Sequence, residues 1–114
     1  MYLAHDVDVS EYEEYEEDGF KDVLQRRLLD SENSSKRFAM RCYVIRPGGH
    51  TAEDVHPHEH GVYMMEGTAT LNLSKKEIEL EPGDVVHISS YEPHQFRNNS
   101  SSNAKFLCVR NYSV

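Results

Sequence analysis

Gly48-Gly-His-Thr-Ala-Glu-Asp-Val-His-Pro-His-Glu-His-Gly-Val-Tyr-Met-Met-Glu-Gly67 is the stretch from which the rest of this 114-residue chain can be read. It holds four of the chain's seven histidines (His50, His56, His58 and His60), with Asp54 among them and the carboxylates Glu53 and Glu59 alongside. His94 stands in a second polar cluster well downstream. The histidine run is internal and interleaved with strand signals, so it is not a tag. Its density also exceeds what a solvated loop collects by chance. The layout is that of a metal site whose ligands are distant in sequence and meet in space.

Strand geometry limits which residues can share an ion. A strand rises roughly 3.3 Å per residue, so Asp54 and His60 on one continuous strand would lie about 20 Å apart. Bonds of about 2.0–2.2 Å from ligand to metal cannot span that. The chain must therefore turn between His56 and His60, with Pro57 placed to help it. Asp54 and His56 are two apart and face one side of a first strand. His60 opens the next, on the face of Val62 and Met64, and His94 comes from a third. The metal set read from spacing is thus Asp54, His56, His60 and His94. His58 shares the parity of the others but sits at the tip of the turn, as a rim or supporting residue. His50, His5 and His87 are read as structural or surface residues.

Outward from this stretch, the chain reads as strands and turns. Lys21–Leu29 and Arg37–Arg46 are strand candidates. In the second, Phe38, Met40, Cys42 and Val44 alternate against Arg37, Ala39, Arg41 and Tyr43. Pro47-Gly48-Gly49 reads as a turn ending it. Val62–Glu66 and Thr68–Leu73 follow, then a polar hairpin at Ser74-Lys75-Lys76 framed by Leu71, Leu73, Ile78 and Leu80. Glu81-Pro82-Gly83-Asp84 is a type II turn signal, with Pro fixing φ at its second position and Gly taking positive φ at its third. Val85–Ile88, His94–Asn98 and Ala104–Tyr112 complete the strands. No segment carries a helical period of useful length, and short strands at this spacing predict an all-β sandwich or barrel. Residues 1–20 form an acidic arm, read as extended or frayed because clustered like charges repel. The alternative is an arm that docks on a partner subunit through Tyr12 and Tyr15. Residues 21–114 are read as the one folded domain.

Composition removes several function classes. Twelve Lys and Arg against twenty Asp and Glu give a net charge of −8. That argues against a nucleic-acid footprint, which needs clustered basic residues. No run approaches the roughly 18 apolar residues of a membrane span. The first residues lack the basic and apolar regions of a secretory signal, so the expected location is cytoplasmic. Cys42 and Cys108 sit within strand-like runs among apolar residues and read as buried thiols.

With these residues in view, the chain from Lys21 to Tyr112 resembles the cupin family. Two motifs carry the resemblance. In the first, His60 and Gly67 have the closing spacing of the motif's Glu and Gly. Asp54 and His56 fall on its His-x-His pair, and Gly48 falls near its opening Gly. In the second, Gly83, His94 and Asn98 match, while Ser89 and Tyr91 replace a Pro and a Gly. The resemblance implies a double-stranded β-helix, or jelly-roll, barrel with the metal inside. Having His60 in place of the motif Glu is similar to a small single-domain branch that uses four histidines, often for manganese, and is often dimeric. Asp54 departs from that branch by standing where its first histidine is expected. Either Asp54 coordinates, favouring Mn²⁺ or Fe²⁺ over Zn or Ni, or its shorter side chain falls short and acts through water or a ligand N–H. In the second case His58 could be recruited.

A site with open coordination positions implies chemistry or ligand binding rather than a closed structural role. One expectation is a Mn or Fe dioxygenase-type enzyme acting on a small organic molecule, with Phe38, Met40, Met64, Phe96 and Phe106 as an apolar wall. Others are a Lewis-acid isomerase or lyase and a non-catalytic metal-dependent binding module. For the second, Tyr43, Tyr63, Tyr91 and His58 are candidate bases. A homodimer is expected, its two-fold pairing made by strand or arm exchange.

Overall fold

Among the described residues, the alternating and β-branched runs form nine antiparallel strands, with one short 3₁₀ turn (Val9–Glu11) ahead of them. The structure is a computed structural model that describes residues 1–112. The last two positions of the expected 21–114 domain lie outside the described residues. The strands are β1 (Glu13–Glu14), β2 (Lys21–Leu29), β3 (Phe38–His50), β4 (His60–Glu66) and β5 (Ala69–Leu73). They continue with β6 (Lys76–Leu80), β7 (Val85–Ile88), β8 (His94–Arg97) and β9 (Ala104–Asn111). They pair in the order β6-β5-β8-β3-β9-β4-β7, with β2 adding to the side of β3 and β1 to β2. This curled antiparallel sheet is the all-β barrel expected from the sequence.

β3 is the strand on which the barrel turns. It pairs with β9 from Phe38↔Asn111 to Ile45↔Ala104, then ends against β8 at His50↔Arg97. Pro47-Gly48-Gly49 therefore does not end the strand, as the sequence suggested. It bends the strand out of one pairing and into another. The register against β2 jumps from Val23↔Ile45 to Lys21↔His50 across this segment. Gly48 adopts φ +81°, which favours glycine. The bend is tied to Asn98, whose backbone oxygen accepts from Gly48 N at 2.9 Å and whose N donates to Gly49 O at 3.0 Å. Gly83 takes φ +95° in the expected Pro-Gly turn. Asp84 N closes that turn on Glu81 O at 3.0 Å.

Two apolar clusters hold the sheet. The principal one fills the barrel with Ile45, Val62, Met64, Leu71, Phe96 and Phe106 among others. Each such side chain contributes roughly 1.5–3 kcal/mol on removal from water. The second lies on the opposite face of β3, where Cys42 and Val44 pack with Leu24 and Tyr12. This corrects the expected facing of β3. Its apolar row Cys42 and Val44 points away from the barrel lumen, while Arg41 and Tyr43 line the lumen. Alternation reveals that a strand has two faces, but here both are covered, so the more apolar face is not the inner one.

The N-terminal arm covers that outer face. Tyr12 is 7% exposed, its hydroxyl donates to Asp6 Oδ1 at 2.7 Å, and Lys105 Nζ reaches Asp6 Oδ2 at 2.8 Å. β1 then pairs with β2 at Glu13↔Gln25 and Glu14↔Leu24. The arm is therefore laid onto its own barrel. Charge repulsion within it is offset by one buried tyrosine, an ion pair of Asp6 with Lys105 of β9 and one of Glu14 with Arg46 of β3.

Candidate metal centre

The segment between β3 and β4 carries Asp54 and His56, and it is a loop stitched to its surroundings instead of the strand expected. Thr51 N donates to Phe96 O at 2.9 Å, and Thr51 Oγ1 accepts from Phe96 N at 2.9 Å. Asp54 makes an isolated bridge with His94, its N to His94 O at 2.9 Å and His94 N to its own O at 3.1 Å. Tyr91 N reaches His56 O at 2.6 Å. These bonds fix the loop against β8, so His56 is presented to His94, the first residue of β8. His60 opens β4 and completes the group.

His56, His60 and His94 each offer a ring nitrogen, all within 4.8 Å of one another. Their ring centroids form a near-equilateral triangle with sides of 5.6, 5.4 and 5.1 Å. The donor chemistry fits a metal ion. His60 Nε2 is buried and has no hydrogen-bond partner, a costly state for a polar atom unless something else occupies its lone pair. His94 Nδ1 lies 2.9 Å from Glu92 O, a carbonyl that can only accept. The Nδ1 proton is thereby fixed and Nε2 left as the donor to a ligand. Burial, with the neighbouring histidines adding to it, pushes the His60 imidazole down to about 3. Burial also lowers His56, partly offset by the Asp54 carboxylate. Both rings are neutral near pH 7, the form a metal requires.

Of the four ligands read from spacing, the structure brings the three histidines into one group. It places Asp54 beside them, with Oδ2 at 3.5 Å from His56 Nε2. His58 is not at the rim. It is 8% exposed and stacked on His56 at 4.4 Å with a 14° interplanar angle. Its ring is 4.6 Å from that of His60, and burial together with the Arg110 charge lowers it to about 4. Pro57 turns the chain so tightly that the residue at the tip folds inward. His50 bonds its own loop at Thr51 O, 3.0 Å away. His87 pairs with Glu59 at 2.7 Å on the surface, and His5 is exposed.

The histidines line a cavity of about 310 Å³. Of the expected apolar wall, Phe96 and Phe106 face it, stacked at 4.6 Å. Met64 is buried in the barrel core without lining the cavity, and Phe38 and Met40 lie outside it. Tyr43 stacks on Phe106 at 5.5 Å and extends the aromatic wall. Tyr63 and Tyr91 are exposed and line no part of it. Several lining residues were missed by sequence reasoning. Tyr15 and Phe20 come from the arm and its junction, edge to face at 4.7 Å. Arg41, Cys108 and Arg110 come from β3 and β9. Cys108 is not a plain core thiol, because its Sγ lies 3.2 Å from His60 Nδ1. Burial pushes that thiol up to about 12, so it stays protonated beside the histidine. Period-two alternation through Phe106, Cys108 and Arg110 could have found this wall once Phe106 was read as inward-facing.

A barrel of this topology with histidines from the β3–β4 loop, β4 and β8 converging inside it has the arrangement of a cupin with a candidate metal site. Residues 42–110 match the Cupin domain family, and the chain belongs to it. The chain is also 29% identical over 111 residues to 1-methylthio-D-xylulose 5-phosphate methylsulfurylase of Rhodospirillum rubrum, covering 97% of this chain and 70% of that protein. Among solved structures, it is similar to the polyketide cyclase RemF of Streptomyces resistomycificus. There the TM-score is 0.83 at 27% identity, over 96% of this chain and 80% of that one. A sugar phosphate isomerase of the cupin superfamily from Silicibacter pomeroyi superposes with a TM-score of 0.73 at 25% identity, over 81% of this chain and 60% of the other.

Proposed function

We propose that the protein is a metal-dependent enzyme whose histidine centre serves Lewis-acid chemistry, isomerisation, elimination or cyclisation, on a small organic molecule. The observation that carries this reading is the convergence of His56, His60 and His94 at a cavity large enough for such a molecule. In this reading the three histidines hold a divalent ion, Mn or Fe by preference over Zn or Ni. Asp54 is either a fourth donor or the acceptor that orients His56. A bound ion would supply polarisation of a carbonyl or enol oxygen. The chain's own residues do the rest. Phe96, Phe106 and Tyr43 give the ligand an apolar seat and exclude water. The Tyr43 phenol is pushed up by burial and stays a hydrogen-bond donor. His58 is neutral and faces the cavity, which leaves it as the proton acceptor among the candidate bases. The names methylsulfurylase, cyclase and isomerase among the relatives agree with this class.

A second reading, a Mn or Fe dioxygenase-type enzyme, is favoured by the stacked aromatic wall beside the histidines. The test is elemental analysis of anaerobically purified protein, followed by incubation with ketose phosphates and 2-oxo acids in D₂O. We expect metal-dependent deuterium incorporation without O₂. His94→Ala should lose both the metal and the exchange. Stoichiometric metal in His94→Ala would overturn the ligand assignment, and O₂ uptake with product would favour the oxygenase. Tight ligand uptake with no product would make the protein a binding module. The same proposal places the protein in the cytoplasm as a homodimer, with no nucleic-acid or membrane partner.

A further inference from the structure

We propose that Arg41 and Arg110 form an oxyanion subsite next to the histidine centre, so that the natural ligand carries a carboxylate or phosphate group a few bonds from its metal-binding oxygen. This deepens the preceding reading and rests on it for the position of the histidines. In a chain with twenty acidic and twelve basic residues, basic side chains find partners readily. Arg46 pairs with Glu14 at 2.8 Å and Lys105 with Asp6 at 2.8 Å. Arg41 and Arg110, the two arginines that line the cavity, form no ion pair within 4.0 Å among the described residues. Arg41 is half-buried, and its Nε is buried with no hydrogen-bond partner. Its one side-chain bond is a long one, Nη1 to the Tyr43 hydroxyl at 3.4 Å. Arg110 lies over the Tyr112 ring at 5.2 Å and donates from Nε to Asn111 O at 3.3 Å. Most of the ten N–H donors of the two guanidinium groups are left to a ligand.

Strand register places this pair. Arg41 is directly opposite Cys108, and Arg110 directly opposite His60. Cys108 and Arg110 are two apart on β9 and share a face, so the two arginines are diagonal neighbours. Such positions lie about 7–8 Å apart, within reach of two long side chains converging on one group. His60 and Arg110 are closer still. An oxyanion held by the pair therefore sits beside the histidine triangle. The carboxylates that line the same cavity are arranged to oppose any other placement. Asp54 is beside His56, while Glu17 and Asp18 are exposed on the arm. An anionic group is repelled from the Asp54 and arm sides and drawn to the β3–β9 wall. A planar, always-charged fork suits carboxylate and phosphate oxygens better than a lysine would.

The test uses the full chain in metal-free form, with inorganic phosphate and acetate as separate probes. Binding is followed by ¹⁵N NMR, and protection of arginines from phenylglyoxal by mass spectrometry. We expect one of the probes to shift β3 and β9 resonances and to slow modification of Arg41 at least several-fold. Arg46, half-buried, paired with Glu14 and outside the cavity lining, should be modified at the same rate with or without probe. Which probe protects distinguishes a phosphate from a carboxylate ligand. Arg41→Gln should weaken binding about tenfold or more, Arg41→Lys should weaken it less, and Arg46→Gln should leave it unchanged. Protection of the wild-type protein needs no variant, so a poorly folded Arg41→Gln does not remove the test. Equal modification rates at Arg41 with and without either probe would overturn the subsite, as would equal weakening by Arg46→Gln. Because the probes bind without metal, loss of the metal reading through His94→Ala and loss of the subsite are separate results.

Discussion

Tyr12→Ala should detach the N-terminal arm and measurably destabilise the barrel. The Tyr12 ring is 7% exposed and packs with Leu24, Cys42 and Val44 on the outer face of β3. Truncating a buried aromatic costs about 3–5 kcal/mol. The arm can relax where a closed core cannot, so the lower end, about 3 kcal/mol, is the expectation. For a domain near this size each kcal/mol moves Tm by roughly 4 °C, which gives a fall of about 12 °C. Tyr12→Phe keeps the ring and removes only the hydroxyl's bond to the Asp6 carboxylate at 2.7 Å. A bond to a charged group contributes about 1.5–3 kcal/mol when buried, and less here because Asp6 is partly exposed. Tyr12→Phe should thus fall well short of Tyr12→Ala. The assays are thermal unfolding followed by circular dichroism, and amide exchange across residues 6–20. In Tyr12→Ala the amides of β1 and Tyr15, whose N donates to Val23 O at 2.8 Å, should exchange faster than those of β9. A melt within 2 °C of wild type together with unchanged exchange in the arm would refute the reasoning. The arm would then owe its place to something other than Tyr12.

Two other substitutions and one pH effect follow from the same geometry. Asn98 is fully buried, donates from Nδ2 to Ile45 O and Ser102 O at 2.7 Å each, and accepts from Ser100 N and Oγ at 2.9 and 2.7 Å. Asn98→Ala strands the Ile45 carbonyl and should cost about 2–4 kcal/mol by urea denaturation; a loss under 1 kcal/mol would mean the β3 bend is held without it. The Asp6 carboxyl is lowered overall, burial being outweighed by its bonds to Lys105 and Tyr12. Its contribution is present above the ordinary carboxylate value near 4 and is lost as pH falls through the lowered one. Arm protection in amide exchange should therefore hold from pH 8 to about 5 and drop in stronger acid. Asp6→Asn should flatten most of that drop, leaving the part due to Asp8, which accepts from Ser10 N at 2.9 Å.

The histidine centre was legible because its spacing is a property of the chain. His56, His60 and His94 are separated by distances that only a turn and a returning strand can close, and the structure brings their ring nitrogens together. What failed was facing. Arg41 and Tyr43 alternate with Cys42 and Val44, and hydrophobicity alone assigns the apolar row to the lumen. The arm reverses this by covering the outer face with Tyr12, and nothing in residues 37–46 records that the arm will come. His58 had two readings, a rim residue or a supporting one, and its burial removes only the first. A turn tip is ordinarily solvent-facing, but at Pro57 the chain doubles back so sharply that His58 stacks on His56.

The cover on the outer face of β3 also explains why the cavity is more polar than the sequence promised. The arm supplies apolar cover on the outside of β3, so the inner row of β3 is free to carry an arginine and a tyrosine without exposing Cys42 and Val44 to water. The folding role of the arm and the chemical character of the cavity are thus two consequences of one packing arrangement. Tyr12 acts on the site from behind the sheet, by covering the outer face of β3. Tyr15 and Phe20 act on it directly, as part of the cavity wall. Loosening the arm should therefore weaken ligand binding by removing aromatic wall, even though the arm supplies none of the three histidines grouped as metal donors.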